Sequence, residues 1–449
     1  MESKVAPRAA GGRQGTAREL LLGEERGGEW VIGGVAASRL AAEYGTPLYI
    51  MDEARLRANC RAYVAALRDA YPHSQAVFAS KALCCMATCR LAYDEGLGID
   101  VVSAGEIHTA RRAGVPADAL ILHGSNKTRE ELVLALGVGV GRIVADSFAD
   151  LEMLGELARR APKPVEVLLR LTPGIEPHTH KAIITGGVDS KFGFGIPDGT
   201  AGEAIRRTLD IPNVRLRGLH CHVGSQVMEL EPFTLAAQAM MEVAAWMVRD
   251  LHAGVDELDL GGGLGVRYLS TDAPPPIRDY VSTVAGVVKG AAERARIPLP
   301  RLLLEPGRSI VGDAGATLYR VGAIKSIPGT RTYVSVDGGM YENPRPALYA
   351  ARYEAVLAAR LNEPSTQTVT IAGRCCESGD VLIWDAVLPE PRSGDLLAIF
   401  STGAYNYSMA SNYNRYPRPP VVFARDGTAR VVVNEETVED LLAKDVPPA

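Results

Sequence analysis

AVFASK at positions 76–81 is a short apolar run ending on a lysine, and runs of the same kind return as GIDVVS at 98–103 and LILHG at 120–124. RIVADS (142–147), VEVLLRL (165–171), LRGLHCHVG (216–224), ELDLGGG (257–263) and RLLLEPGR (301–308) continue the series. Near-continuous apolar runs are what parallel strands buried on both faces require. Between them lie longer segments such as RLRANCRAYVAALRDAY and FTLAAQAMMEVAAWMVRDL, with apolar residues at helical spacing. Eight strands alternating with helices predict a (β/α)8 TIM barrel over 47–310, with PLYI at 47–50 as a leading strand outside the count. An open doubly wound sheet would alternate as well, but the polar residues favour the barrel. Lys81, Ser103, His123, Gly124, Asp146, Arg170, His222, Gly261 to Gly263 and the Glu305 to Arg308 turn all fall at strand C-terminal ends, which in a barrel converge on one face.

Beyond 310 the rhythm changes. TLYRVGAIKSI, TYVSVDGG, QTVTIAG, DVLIWDAV, DLLAIFSTG, PVVFAR and ARVVVN read as strands separated by turn residues, with PALYAARYEAVLAA as the one helical stretch. A second, mainly antiparallel β-barrel or sandwich domain is expected over 311–449. Residues 1–46 form an N-terminal segment that begins as a Gly/Arg-rich lead-in, and its β-prone EWVIGG is expected to pair with the second domain.

The length of 449 residues suits two domains, and 47% hydrophobic with 22% charged residues is ordinary for a globular enzyme. A net charge of −5 without a Lys/Arg run argues against nucleic-acid binding. MESKVAPRAAGGRQGTAREL lacks the apolar core of a secretory signal, and no stretch approaches the roughly 18 apolar residues of a membrane span, so a cytoplasmic protein is expected. Seven cysteines, three of them clustered without paired CxxC spacing, read as reduced thiols rather than a zinc site. His178 and His180, with His220 and His222, could suggest a metal site in the long 172–195 connection, but no carboxylate completes the set and no metal is expected.

The strand ends suggest a chemistry. Gly261, Gly262 and Gly263 can turn bare backbone N–H groups toward an anion, and Arg308 offers a bidentate cation. Lys81 at the end of an apolar run suits a lysine of lowered pKa that condenses with an aldehyde. Glu305 could face a pyridinium nitrogen and His222 could pack flat on a ring. Together they point to pyridoxal 5'-phosphate.

FASKA (78–82), DVVSAGE (100–106), HGSNK (123–127), DSKFGFG (189–195), HCHVGSQ (220–226), DLGGGLG (259–265), EPGRSIVG (305–312), NPRPALY (343–349), CESGD (376–380) and GAYNYSMASNYN (403–414) carry a resemblance. As a set they resemble the fold-type III pyridoxal-phosphate decarboxylases, the group of alanine racemase and ornithine decarboxylase, and most closely the diaminopimelate decarboxylases. Relatives often carry an asparagine two residues after the cofactor lysine, where this chain has Leu83. The resemblance implies that Lys81 carries the cofactor and His222 stacks on its ring. Ser225, Gly261 to Gly263, Glu305, Pro306, Gly307, Arg308 and Tyr405 would hold phosphate and pyridine. It also implies a homodimer whose active sites are shared between subunits.

Diaminopimelate carries both an ammonium and a carboxylate at its far end, so its pocket needs an acid and arginines. Glu377 would take the ammonium, Arg308 and Arg345 the carboxylate, and Tyr349 and Tyr405 would add hydroxyls. The expected reaction is decarboxylation of meso-diaminopimelate to L-lysine, the last step of lysine biosynthesis. The alternatives are a related decarboxylase of lysine, ornithine or a carrier-bound amino acid, and a non-catalytic regulatory homologue. GRCCESGD at 373–380 could by itself be a metal, redox, nucleophile or core segment. By resemblance Cys376 is the acid that protonates the carbanion, a role for which a thiol of pKa near 8.5 is suited, and Cys375 is packing.

Overall fold

The computed structural model describes residues 17–175 and 190–448. Its larger sheet closes on itself. Strands Ser74–Ala79, Gly98–Val101, Leu120–Leu122, Arg142–Ala145, Val165–Thr172, Val214–His220, Glu257–Asp259 and Arg301–Leu304 pair in parallel in that order, and the last returns to the first. Sequence and structure agree on all eight strands. Side-chain alternation explains the packing: Val77 meets Ile121, Val144, Leu168 and Leu303 in one cluster, while its neighbours Ala76 and Phe78 join the core shared with the helices.

The helices start where the strands deliver them. Ser103 and Ser147 cap the helices Ala104–Arg112 and Phe148–Ala158 by accepting from Glu106 and Asp150 N–H, and Thr128 makes a capping box with Glu131. Each cap therefore marks a strand-to-helix turn at the barrel mouth.

The second sheet is mostly antiparallel and runs from Gly315–Ile327 to Thr428–Val433 in sequence. Leu48–Asp52, expected as the barrel's leading strand, belongs to it instead. It pairs antiparallel with Gly315–Leu318 and parallel with Val421–Ala424. All five of its residues are buried, a demand that a central strand meets.

Two details differ from expectation. PALYAARYEAVLAA is not one helix: Arg345–Tyr349 forms a short helix that ends at Ala350 in the left-handed region (φ 51), and Ala355–Leu357 is a strand. Val356 enters one hydrophobic cluster while Ala355 and Leu357 enter another, so packing with period two overrides the alanine-rich helical pattern. Glu29–Ile32, within EWVIGG, pairs into a small sheet with Glu24–Arg26 and Val35–Ala36. That sheet leans on the second lobe: Trp30 N–H donates to Ala358 O at 2.7 Å and the indole meets Phe400 edge-on.

Candidate active site

Strand Ser74–Ala79 ends in a single 3-10 turn, Ser80–Ala82, which presents Lys81 at the barrel mouth. The turn is tied on both sides: Ala79 N–H donates to Pro306 O at 3.0 Å, and Tyr405 N–H donates to Ala82 O at 2.8 Å. Lys81 Nζ donates to Asp100 Oδ2 at 2.5 Å. Burial works against the ammonium, but Asp100, with Tyr405 and Glu305 behind it, outweighs burial and holds Lys81 above the usual lysine range. The lowered pKa expected from the sequence is therefore not found, because the buried acid beside the lysine was not foreseen.

On the neighbouring strand, Glu305 follows Arg301–Leu304 and is 6% exposed. His123 Nε2 lies 2.7 Å from its Oε1, and His220 Nε2 lies 3.2 Å from its Oε2. Burial disfavours the carboxylate charge, but the two imidazoles overcome this and keep Glu305 well below the ordinary range. Burial pushes His220 down to about 4. Asp259 goes the other way: burial and the Glu305 charge raise it, while one of its oxygens accepts from Gly261 N–H at 2.9 Å. Of the two neighbouring acids, Glu305 is the one held ionised.

The glycines are fixed by close backbone approach. A Cβ on Gly262 would fall 2.1 Å from Glu305 O, and one on Gly263, at φ +117, would fall 2.4 Å from Gly224 O. Gly262 N–H donates to His222 Nδ1 at 3.2 Å, and burial, followed by Arg170 and Lys81, keeps that imidazole well below its usual pKa and hence neutral. Arg308 donates through Nη2 to Ser225 Oγ at 2.9 Å and through Nη1 to the Tyr268 hydroxyl, with its guanidinium 4.8 Å above the Tyr405 ring.

These groups border one cavity of about 430 Å3, which Lys81, His222, Ser225, Glu305, Arg308 and Tyr405 all line. The residues fit pyridoxal phosphate: an amine for the aldehyde, an ionised carboxylate, a neutral flat ring, and a glycine turn whose space no side chain can enter. His123, His220 and Glu305 also bring one ligand atom each to within 4.8 Å, as a metal site would, but that grouping explains neither the lysine nor the glycine turn.

Gly263 and Gly307 line the cavity as well, whereas Arg345, Tyr349, Cys376 and Glu377 do not. Arg345 is buried, donates to the Tyr353 hydroxyl at 3.0 Å and lies 5.2 Å above the Tyr268 ring and 5.8 Å above that of Tyr349. Tyr268 thereby joins the two arginines. Cys376 and Glu377 are exposed on the loop before strand Val381–Leu388, with Cys376 N–H donating to Asn414 Oδ1 at 2.8 Å. Cys375 is buried instead, and burial together with Asp380 pushes its thiol up to about 12. His178 and His180 lie outside the described residues.

Sequence reasoning placed His123 and Arg170 at strand ends without assigning them work, weighed His220 only as a possible metal ligand, and missed Asp100 and Tyr268. A signal for Asp100 was present: an acid in the middle of GIDVV, where the strand is buried on both faces. Arg170 lies 3.7 Å from Asp146 and 4.3 Å above the Phe192 ring, on the cavity wall.

Residues 55–312 match the family described as pyridoxal-dependent decarboxylase, pyridoxal binding domain. The chain is 49% identical over 422 residues to the diaminopimelate decarboxylase of Bacillus subtilis, covering 94% of this chain and 96% of that one. It is 48% identical over 420 residues to that of Actinosynnema pretiosum, covering 93% of each. Among solved structures, the diaminopimelate decarboxylase of M. jannaschii in complex with L-lysine superposes with a TM-score of 0.90 at 33% identity, covering 96% of this chain and 99% of that one.

Proposed function

The chain belongs to the pyridoxal-dependent decarboxylases and, within them, to the diaminopimelate decarboxylases, and from that premise we propose that it removes CO2 from meso-2,6-diaminopimelate to leave L-lysine. The observation that carries this reading is the pairing, across one cavity, of Lys81 with a Glu305 held ionised by two imidazoles. Bound pyridoxal phosphate supplies an electron sink for the pair left on the α-carbon when CO2 departs.

The chain's own residues support that sink. Lys81 provides the amine that binds the cofactor's aldehyde, and Glu305 holds the proton on the pyridine nitrogen. His222, kept neutral, packs against the ring without placing a positive charge on it. Gly261, Gly262 and Gly263, with Ser225, Pro306, Gly307, Arg308 and Tyr405, hold the phosphate and ring. Arg308 and Arg345 bind the substrate's distal carboxylate, Glu377 its distal ammonium, and Tyr349 and Tyr405 supply hydroxyls. Cys376 donates the proton that replaces CO2.

Cys376 and Glu377 are exposed and do not line the cavity of their own subunit. That supports a homodimer in which each subunit lends this loop to its partner's site. Among the described residues no helix is long and apolar enough to cross a membrane, and all seven cysteines are free, which supports a site of action in the reducing cytoplasm.

Holoenzyme supplied with meso-diaminopimelate, L-lysine and L-ornithine in competition should release CO2 from the first far faster than from the others. Preference for lysine or ornithine would move the assignment to a decarboxylase of simpler diamino acids. Absence of turnover, with the yellow lysine-bound cofactor present, would indicate a regulatory homologue.

A further inference from the structure

Tyr268 belongs to the barrel by sequence and to the second lobe by packing. It ends GGGLGVRY, the run that follows strand Glu257–Asp259. Gln226 grips that run, its Nε2 donating to Val266 O at 2.7 Å while its Oε1 accepts from Val266 N–H at 3.2 Å. Beyond this clamp the chain crosses to the other lobe. Ser401 Oγ donates to Arg267 O at 2.6 Å, and Glu354 accepts from the Ser270 N–H at 3.2 Å and from its hydroxyl at 2.9 Å. Val266 and Tyr268 are thereby buried in a cluster whose other members, Tyr319, Tyr353 and Ile399 among them, come from the second lobe.

Two arginines converge on this one side chain, one from each lobe. Arg308 of the barrel donates to the Tyr268 hydroxyl, and its guanidinium carbon lies 5.7 Å from the ring centre. Arg345 of the second lobe lies 5.2 Å from the same centre. Both distances fall within the roughly 6 Å at which an aromatic ring attracts a cation. Tyr353, whose hydroxyl accepts from Arg345 Nε at 3.0 Å, meets the Tyr268 ring edge-on at 5.3 Å. Ser225 accepts at 2.9 Å from Arg308 Nη2. The groups that hold the two guanidiniums are neutral hydroxyls and rings, so both positive charges stay available to an incoming anion.

An arginine fork matches the two oxygens of a carboxylate only in a defined orientation. Two forks carried on separate lobes can share one carboxylate only if something fixes their spacing. We propose that Tyr268 is a positioning residue for the substrate's distal carboxylate: it registers Arg308 against Arg345 and so favours ligands with that carboxylate over plain diamines. The inference rests on the reading that those two arginines bind that group. Without the hydroxyl, Arg308 Nη1 loses its anchor, and order that Tyr268 supplies in advance has to be imposed on binding instead. The loss falls on affinity. Lys81 is held separately by Asp100, so the step at the α-carbon keeps its rate.

The test compares wild type, Tyr268→Phe and Tyr268→Leu as holoenzyme at saturating pyridoxal phosphate. Each is assayed for kcat and KM with meso-diaminopimelate and for competitive inhibition by L-lysine, which keeps the distal carboxylate, and by cadaverine, which has none. In Tyr268→Phe the KM and the L-lysine inhibition constant should both rise roughly tenfold, while kcat and the cadaverine constant stay within about twofold of wild type. Tyr268→Leu also takes the ring from Arg345 and should raise the same two quantities about a hundredfold. An unchanged KM in Tyr268→Phe overturns the proposal, and so does a cadaverine constant that rises in step with that of L-lysine, which marks a general distortion. The phenylalanine keeps the ring that fills the core, so this variant decides the question even if Tyr268→Leu does not fold. A wild type that does not turn over meso-diaminopimelate would instead overturn the functional reading, and this inference with it.

Discussion

Lys81 Nζ and Asp100 Oδ2 stand 2.5 Å apart, an ammonium and a fully buried carboxylate at neighbouring strand ends. An ammonium cannot attack an aldehyde, so if Lys81 is the residue that captures the cofactor, as proposed, this partner sets how much free amine is available to do so. Asp100→Asn removes the charge that raises Lys81. Cofactor-free Asp100→Asn protein should therefore recombine with pyridoxal phosphate faster at neutral pH, about tenfold for each unit by which the lysine pKa falls. Stopped-flow absorbance across pH reads this directly, and an unchanged pH profile would remove Asp100 from the role.

Cys376 and Glu377 sit on an exposed loop, away from the cavity of their own chain. Cys376→Ala should lower turnover by roughly 100-fold or more while the lysine-bound cofactor absorbance persists, as expected for loss of a proton donor. Cys375→Ala should change neither quantity. Mixing Lys81→Ala subunits with Cys376→Ala subunits gives a sharper reading. If sites are shared, subunit exchange restores roughly a quarter of wild-type activity, since half the dimers are mixed and each of those has one intact site. Restoration near zero would place Cys376 in the site of its own chain.

His220 is buried and its folded pKa is pushed down to about 4, below the 6.5 of an exposed imidazole. The unfolded chain then binds the extra proton between those values, so stability is full above about pH 6.5 and falls as pH drops toward 4. The whole shift corresponds to about 3 kcal/mol. His220→Asn keeps an N–H donor for Glu305 but cannot take up a proton. Urea midpoints measured at pH 7 and pH 4.5 should differ less in His220→Asn than in the wild type, and an equal difference would refute the assignment.

The barrel was legible because each strand is buried on both faces and so writes itself as an apolar run such as VEVLLRL. Lys81 and Glu305 were legible because a charge at the end of such a run needs a reason. Asp100 was not, nor was the place of His220 beside Glu305, since a buried acid or imidazole acquires meaning only from what folding sets beside it. Ala355–Leu357 was misread because alanines satisfy a helical period equally well, and only the two separate cores on its faces decide for a strand. Glu377 could be named from its motif, but that it lies exposed and outside the cavity of its own chain is a fact of the fold that one motif does not display.

Leu48–Asp52 has consequences for how the chain is made. It leaves the ribosome ahead of the whole barrel, yet its neighbours are residues 315–318 and 421–424. Throughout synthesis of the barrel, the nascent chain therefore carries an apolar strand with both edges unpaired, a segment that a chaperone would have reason to cover. In the finished molecule the same strand works as a tether, so that a protease nick in a barrel loop would leave the second lobe still laced to the first.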